Sequence, residues 1–397
     1  MFRRVSSEPS FRGRAVALLA LAGAMAALPA VAQAKPGHKQ KGSTVTVMTR
    51  NLYLGADLGP AIGASGVSDF ISKNGQILRD VDTNNFPVRA KGLAREIIQK
   101  NPDLVGMQEV AMWRTGPVNL PAALAGGCRL AETAGTPCTA TTVKYDYLKL
   151  LLDQLNKGKQ RYRVVKVNTE FDFEAPADYD NDPSTPVGGT FGADLDGRLT
   201  MRDVILAKVG AGVTVNSSKA SHFETLYTPK VSGVVDVPVT RGWLRADVKV
   251  RSSRPFRFID THLEAFGDPT IREAQAKELF TGAGAPAKTS LPAVLVGDLN
   301  SDDDTVSGAD RLAYNALKGA GFAERSTASP LGCCLNTGIL TDDLGSVSDF
   351  DHQVDHVMTR DPKVVKLVNS AVTGRQPANG YWDSDHAGLF SRLRILR

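Results

Sequence analysis

Hydrophobic positions change period along this chain, and each change marks an element. Residues 44–49 alternate, with Val45 and Val47 on one face, and predict a strand that ends at Arg50-Asn51. Leu93, Ile97 and Ile98 recur at helical spacing within residues 88–100, and Asn101-Pro102 stops that helix. Residues 104–107 are a continuous apolar run of the buried-strand type and deliver Gln108-Glu109 at their exit. Residues 145–155 place Leu148, Leu151, Leu152 and Leu155 on one helical face, and a strand follows at 163–168. Further strands are predicted at 203–208, 243–250, 256–260, 293–296 and 353–358, with helices at 271–280 and 311–318. Helices and strands interleave, yet many strand pairs lack a helix between them. That favours mixed, largely antiparallel layering over a parallel barrel. There is no internal repeat and no clear boundary, so residues 44–397 read as one domain.

Two stretches read as insertions. Residues 55–86 are rich in Gly, Ser, Asn and Asp, whereas 171–197 are acidic and broken by Pro and Gly. Asp178, Asp180 and Asp182 mimic the start of a calcium loop, but Pro183 holds the position that needs glycine and no Glu closes the loop. A solvated loop is the expectation, with a second metal site or a lid over the active site as alternatives.

The first residues are an address. Arg3, Arg4, Arg12 and Arg14 precede an apolar run over 15–30, and Ala32-Gln33-Ala34 supplies a small-x-small pattern. Residues 1–34 are therefore expected to be a signal peptide cleaved after Ala34, with 35–43 a disordered lead-in. No later run is apolar enough to span a membrane, so the expected product is secreted, extracellular and monomeric. The leader carries four arginines and one glutamate, which leaves the remainder near +2 rather than the +5 of the whole chain. So small a charge neither supports nor excludes a nucleic-acid partner. Export also makes disulfides plausible for Cys128, Cys138, Cys333 and Cys334. Adjacent Cα atoms lie about 3.8 Å apart across a trans peptide, below the usual disulfide span, which disfavours a Cys333–Cys334 bridge. Cys128–Cys138, or cross-pairs between the two loops, remain.

The chemistry sits in short polar phrases that close or follow apolar runs: Gln108-Glu109, Thr261-His262-Leu263, Gly297-Asp298-Leu299-Asn300, Asp355-His356 and Ser384-Asp385-His386. Carboxylates, an asparagine and two histidines at one sheet edge suit a hard divalent cation, an activated water and attack on phosphorus. Alternation puts Asp298 and Asn300 on one face, so one orients or deprotonates water while the other donates to a phosphoryl oxygen. Alone, Asp298 and Asn300 read equally as an Asx turn, and Glu109 as an exposed strand end. Asp355 and His356 point to opposite faces of their strand, and Asp355 is taken as the partner that orients His386. His38 and His222 are expected to do no chemistry, and His352 to be a loop residue.

Taken in order, Asn51 and these phrases resemble the endonuclease/exonuclease/phosphatase superfamily (deoxyribonuclease I-like). The resemblance covers residues 44–397. It implies an α+β four-layer sandwich, two packed mixed β-sheets flanked by helices, and a Mg²⁺-dependent phosphoesterase in which Mn²⁺ or Ca²⁺ substitutes. Carried over, Glu109 would be the main metal ligand, with Asn51 near the metal or phosphate and Asp385 assisting. Asp298 would position the nucleophile and Asn300 would hold a phosphate oxygen. His262 and His386 would bind phosphate and move protons, with Asp355 paired to His386. The family also places an acidic partner for the first histidine on a mid-chain strand. Arg202-Asp203 is the best candidate here, with Arg202 a possible phosphate contact. The substrate implied is a phosphodiester, nucleic acid first and a phospholipid headgroup or small phosphoester second; a catalytically dead binding protein is the third reading.

Overall fold

The run at 293–296 extends in the structure to Ala293–Asp298, and its alternation separates two cores. Val294 and Val296 face one apolar cluster while Leu295 faces another. A strand covered on both faces needs no polar alternation, which is why its sequence is continuously apolar. The computed structural model describes residues 42–182, 192–303, 310–326 and 331–397. Its strands form two principal mixed sheets.

In the larger sheet the order is Val365–Thr373, Gly388–Leu396, Gly42–Asn51, Leu104–Gln108, Leu195–Lys208, Met112–Gly116 and Thr142–Asp146, and Tyr162–Ala177 also pairs with Leu195–Lys208. In the smaller sheet it is Phe322–Glu324, Asp355–Arg360, Ala293–Asp298, Phe256–His262, Gly242–Val250 and Val213–His222. Each contains one parallel pair, Gly42–Asn51 with Leu104–Gln108 and Phe256–His262 with Ala293–Asp298. Val45, Val47, Leu104 and Ile205 from one sheet meet Leu244, Phe258, Val296 and Val357 from the other in a shared core. Helices Phe86–Lys100 and Tyr147–Leu155 cover the outer face of the larger sheet through Leu93, Ile97 and Leu151. Helices Pro269–Glu278 and Leu312–Gly319 cover the smaller sheet through Ala276 and Leu317. The four layers are those expected. A polar tie crosses the shared core: Gln108 Nε2 donates to Asp260 Oδ1 at 2.7 Å.

The two insertion readings are corrected. Residues 55–86 contain the helices Gly59–Ile62 and Val67–Thr83, the latter burying Ile71, Ile77, Leu78 and Val81. Residues 171–197 are largely the ends of two long strands, Tyr162–Ala177 and Leu195–Lys208, which pair antiparallel. Their acidity is matched locally, since Arg198 makes a forked contact with Asp172 at 2.8 and 2.6 Å. At the turn, Asp180 accepts from the backbone N–H of Asp182 as an Asx turn does, and Asp178 from that of Asn181, each at 3.0 Å. Pro183 and the leader lie outside the described residues.

Cys128 and Cys138 are bridged, with Cα atoms 5.4 Å apart. The expectation against a Cys333–Cys334 bridge is also corrected: the two are joined. Their peptide is cis and their Cα atoms are 3.0 Å apart, so the trans-peptide argument does not apply. Among the described residues no helix is long and apolar enough to cross a membrane.

Candidate active site

Strand pairing brings the polar phrases together. In the smaller sheet His262 lies opposite Asp298, and Asp298 opposite Asp355, so three adjacent strands end in one row. In the larger sheet Asn51 lies opposite Gln108, which sets Glu109 one residue beyond the same edge. Asp385 and His386 arrive on the approach to Gly388–Leu396, the other neighbour of Gly42–Asn51. The two rims meet at hydrogen-bonding distance. Asn51 Nδ2 donates to Glu109 Oε1 at 3.2 Å and to Asp298 Oδ2 at 3.0 Å, joining carboxylates from different sheets.

Local backbone fixes these side chains. Gly297 has φ +150°, and a Cβ there would lie 2.0 Å from the carbonyl oxygen of Thr261, so glycine is required just before Asp298. Glu109 and Asn300 both adopt left-handed backbone, at φ 56° and 47°. Asn300 donates its backbone N–H to Asp298 Oδ1 and its amide to the carbonyl of Leu263, both at 2.9 Å. The Asx turn is thus present and holds the Asp298 carboxylate in place. Leu54 N–H donates to Glu109 Oε2 at 2.7 Å, and Tyr53 N–H to Asn51 Oδ1 at 2.8 Å.

The two histidines sit 3.6 Å (His262 Nε2) and 3.8 Å (His386 Nε2) from Asp298 Oδ2 but differ in charge. His262 is held well below the usual imidazole range by burial, then by Arg241 and His386. Its Nδ1 accepts from Arg241 at 3.0 Å, which places the proton of the neutral ring on Nε2. Burial would lower His386 too, but Asp355, Asp385 and Asp298 raise it well above the usual range. Its Nδ1 donates to Asp355 Oδ2 at 2.7 Å, the pairing expected from sequence. Cys334 Sγ and Cys333 Sγ pack 3.6 and 3.8 Å from its Nε2.

Burial pushes Asp298 up to about 6, with His386 opposing and Asp355 adding to the rise. Glu109 is raised by burial and then by the charge of Asp385. Burial and the nearby charge of Asp385 both work against the ionised form of Glu109, a cost that a cation held there would relieve. The oxygen donors of Glu109, Asp385 and Asn51 are the hard ligands that Mg²⁺, Mn²⁺ or Ca²⁺ prefer.

Arg202 does not join this cluster. Its guanidinium binds Asp146 at 2.6 Å and the carbonyls of Val110 and Ala111, because alternation turns it to the outer face of its strand. Asp203 is on the inner face, fully buried and pushed up to about 8 chiefly by desolvation. The partner on His262 is Arg241, itself paired with Glu264 at 3.4 Å, rather than the expected acid. Arg241 stands alone before its strand, and no spacing in the sequence marks it. His356 turns away to Glu324 and the carbonyl of Ser301, at 2.8 and 2.9 Å.

A two-sheet sandwich with its reactive side chains at one rim defines a class of phosphoester hydrolase. The family model described as "Endonuclease/Exonuclease/phosphatase family" matches residues 74–386, and the chain belongs to that family. Its members hydrolyse phosphoester bonds and typically use a divalent metal. No curated protein matches the chain by sequence. Among solved structures it is similar to an endonuclease/exonuclease/phosphatase family protein from Bacteroides thetaiotaomicron, at 14% identity and TM-score 0.49 over 89% of this chain and 99% of that one. It is also similar to the mannosyl-6-phosphatase Bt3783 of Bacteroides thetaiotaomicron VPI-5482, at 14% identity and TM-score 0.47 over 88% and 99%. D. rerio TDP2 complexed with a single-strand DNA product gives 15% identity and TM-score 0.46 over 88% and 99%. These are likenesses of fold.

Proposed function

We propose that this chain is a Mg²⁺-dependent phosphodiesterase that works outside the cell. The observation that carries the reading is the contact set of Asp298: Asn51 at 3.0 Å, His262 at 3.6 Å and His386 at 3.8 Å, with Glu109 sharing the Asn51 amide. A cation held by Glu109, Asp385 and Asn51 would neutralise charge developing on phosphoryl oxygens, commonly the largest contribution in such transfers. Asp298, ionised at neutral pH, orients and deprotonates the attacking water. His262, neutral, donates its Nε2–H to a non-bridging oxygen. His386, kept protonated by its three carboxylate neighbours, stabilises or protonates the departing oxygen, and Asp355 fixes its ring. Two titratable groups with opposed environments thus take the base and acid roles.

The test is hydrolysis of bis-p-nitrophenyl phosphate with Mg²⁺ and with EDTA. Turnover is expected with the metal and not with the chelator; equal rates would overturn the metal-dependent reading. Export is tested by N-terminal sequencing of protein from the culture medium, where Lys35 should be the first residue.

Nucleic acid is the weaker substrate reading on the geometry. Guanidiniums that the fold brings near the rim are engaged internally: Arg50 with Glu96 at 3.0 Å, Arg202 with Asp146 at 2.6 Å and Arg241 with Glu264 at 3.4 Å. Polynucleotide binding draws most of its affinity from cations free to meet phosphates.

A further inference from the structure

A hollow of about 490 Å³ begins at Glu109, Asp385 and Arg241 and runs away from the rim between helix Val67–Thr83 and strands Tyr162–Ala177 and Leu195–Lys208. Its walls are Phe70, Trp113, Phe173, Leu199 and Phe266, and Phe171 stacks beside Phe173 with ring centroids 5.7 Å apart. The size falls in the roughly 300–1,000 Å³ range of small-molecule sites.

The hollow's polar groups decide what it suits. Trp113 Nε1 donates to the carbonyl of Leu54 at 2.7 Å, and Tyr53 Oη to that of Gly338 at 2.8 Å. Asn74 donates to the carbonyl of Pro176 at 3.1 Å, and Asp57 accepts from Gly59 N–H at 2.8 Å. Apart from Asp57, which is exposed, these groups are turned to the protein, and most of the wall offers hydrocarbon. A base or sugar lying along the aromatic wall would give up more hydrogen bonds to water than it regained, whereas an alkyl chain would lose nothing. Charge at one end and hydrocarbon along the length match an amphipathic molecule whose phosphate is at the head.

We propose that the substrate is a lipid-type phosphodiester carrying a long apolar ester chain, with the phosphate at Glu109, Asp298 and His386 and the chain lying in this hollow. The inference rests on the phosphodiesterase reading above. The hydrolytic step is unchanged: the water oxygen bonds to phosphorus, Asp298 takes its proton, and the bond from phosphorus to the departing alcohol oxygen breaks. The alkyl chain remains on the phosphate.

The experiment is a series of p-nitrophenyl phosphodiesters with methyl, butyl, octyl and dodecyl as the retained ester, each below its micelle concentration, with Mg²⁺. The ratio kcat/KM is expected to climb by up to about fourfold per methylene while the chain is being buried, then to level off. Phe173→Ser and Phe70→Ser, made separately, should each flatten that climb. Metal-dependent turnover equal for methyl and octyl esters would overturn the inference and leave the phosphodiesterase reading intact. Turnover of none of the esters would overturn both. An unflattened climb in both variants, or faster cutting of single-stranded oligonucleotide than of octyl ester at equal concentration, would also overturn it.

Discussion

The rim and the hollow share Glu109 and Asp385 but are built on opposite principles. The rim is a dense polar set in which Asn51 serves carboxylates from both sheets at 3.0 and 3.2 Å. The hollow has the polar atoms of Trp113 and Tyr53 turned inward and presents mostly aromatic and aliphatic surface. Rim residues come from the ends of paired strands, where register leaves little freedom. Hollow residues come from a helix, two strand flanks and loops, which vary more easily. On the proposed reading, sheet pairing fixes the chemistry and what packs around it selects the substrate.

The sharpest way to break this division is at His386. Replacing it with alanine should lower turnover on every ester by about 10²–10⁴-fold while moving the thermal midpoint little. A midpoint that collapses with activity, followed by calorimetry, would return His386 to a structural role. Next, Glu109→Gln should raise the Mg²⁺ concentration for half-maximal rate by more than the roughly 10–100-fold typical of outer-shell changes. An unchanged titration would remove Glu109 from the cation site.

Gly297→Ala tests the rim without altering a reactive group. Its Cβ would meet the Thr261 carbonyl oxygen at 2.0 Å. A stability loss of about 2 kcal/mol in urea unfolding, with all esters slowed in equal proportion, is expected. Selective slowing of long-chain esters would blur the distinction between rim and hollow.

The smallest effect concerns pH. Burial raises Asp298 to about 6, Asp196 and Asp383 to about 7 and Asp203 to about 8, all from 3.8. Folded values above unfolded ones mean that the folded state holds more protons. The contribution is therefore complete below about pH 4 and is lost as pH rises through 6 to 8. In EDTA the thermal midpoint should fall between about pH 5 and pH 8, and Asp203→Asn should make that fall shallower. A midpoint that rises over this window, or an unaltered slope in the variant, would contradict the assignment.

Most of the rim was legible because Glu109, His262 and Asp298 stand at or just past the ends of strongly apolar runs, so strand exit and chemistry coincide in sequence. Glu109, His262 and Asp298 are placed by pairing alone. Alternation allowed only one of Asp355 and His356 to face inward, and the choice of Asp355 as partner of His386 agrees with the 2.7 Å contact. Arg241 was not legible: an isolated arginine before a strand has no pattern, and its role exists only once His262 and Glu264 are folded around it. Arg202 was misread because its guanidinium is spent on Asp146 across the sheet. Helix Val67–Thr83 was hidden by Gly75, which reads as a loop residue. A Cβ at Gly75 would lie 1.7 Å from the carbonyl oxygen of Asp178, so close packing, not flexibility, demands glycine there. The strand Gly388–Leu396 does alternate, with Arg392 and Arg394 exposed against buried Leu393 and Ile395, although the expected strands omit it. The hollow draws on segments scattered through the chain, and no local period announces such a surface.

The asparagine amide that spans the two β-layers makes turnover a gauge of how those layers are seated. Sliding one layer past the other by an ångström would part Glu109 from Asp298 while every ladder within each layer stayed whole. Gentle heating or pressure should therefore silence the enzyme before circular dichroism registers any melting.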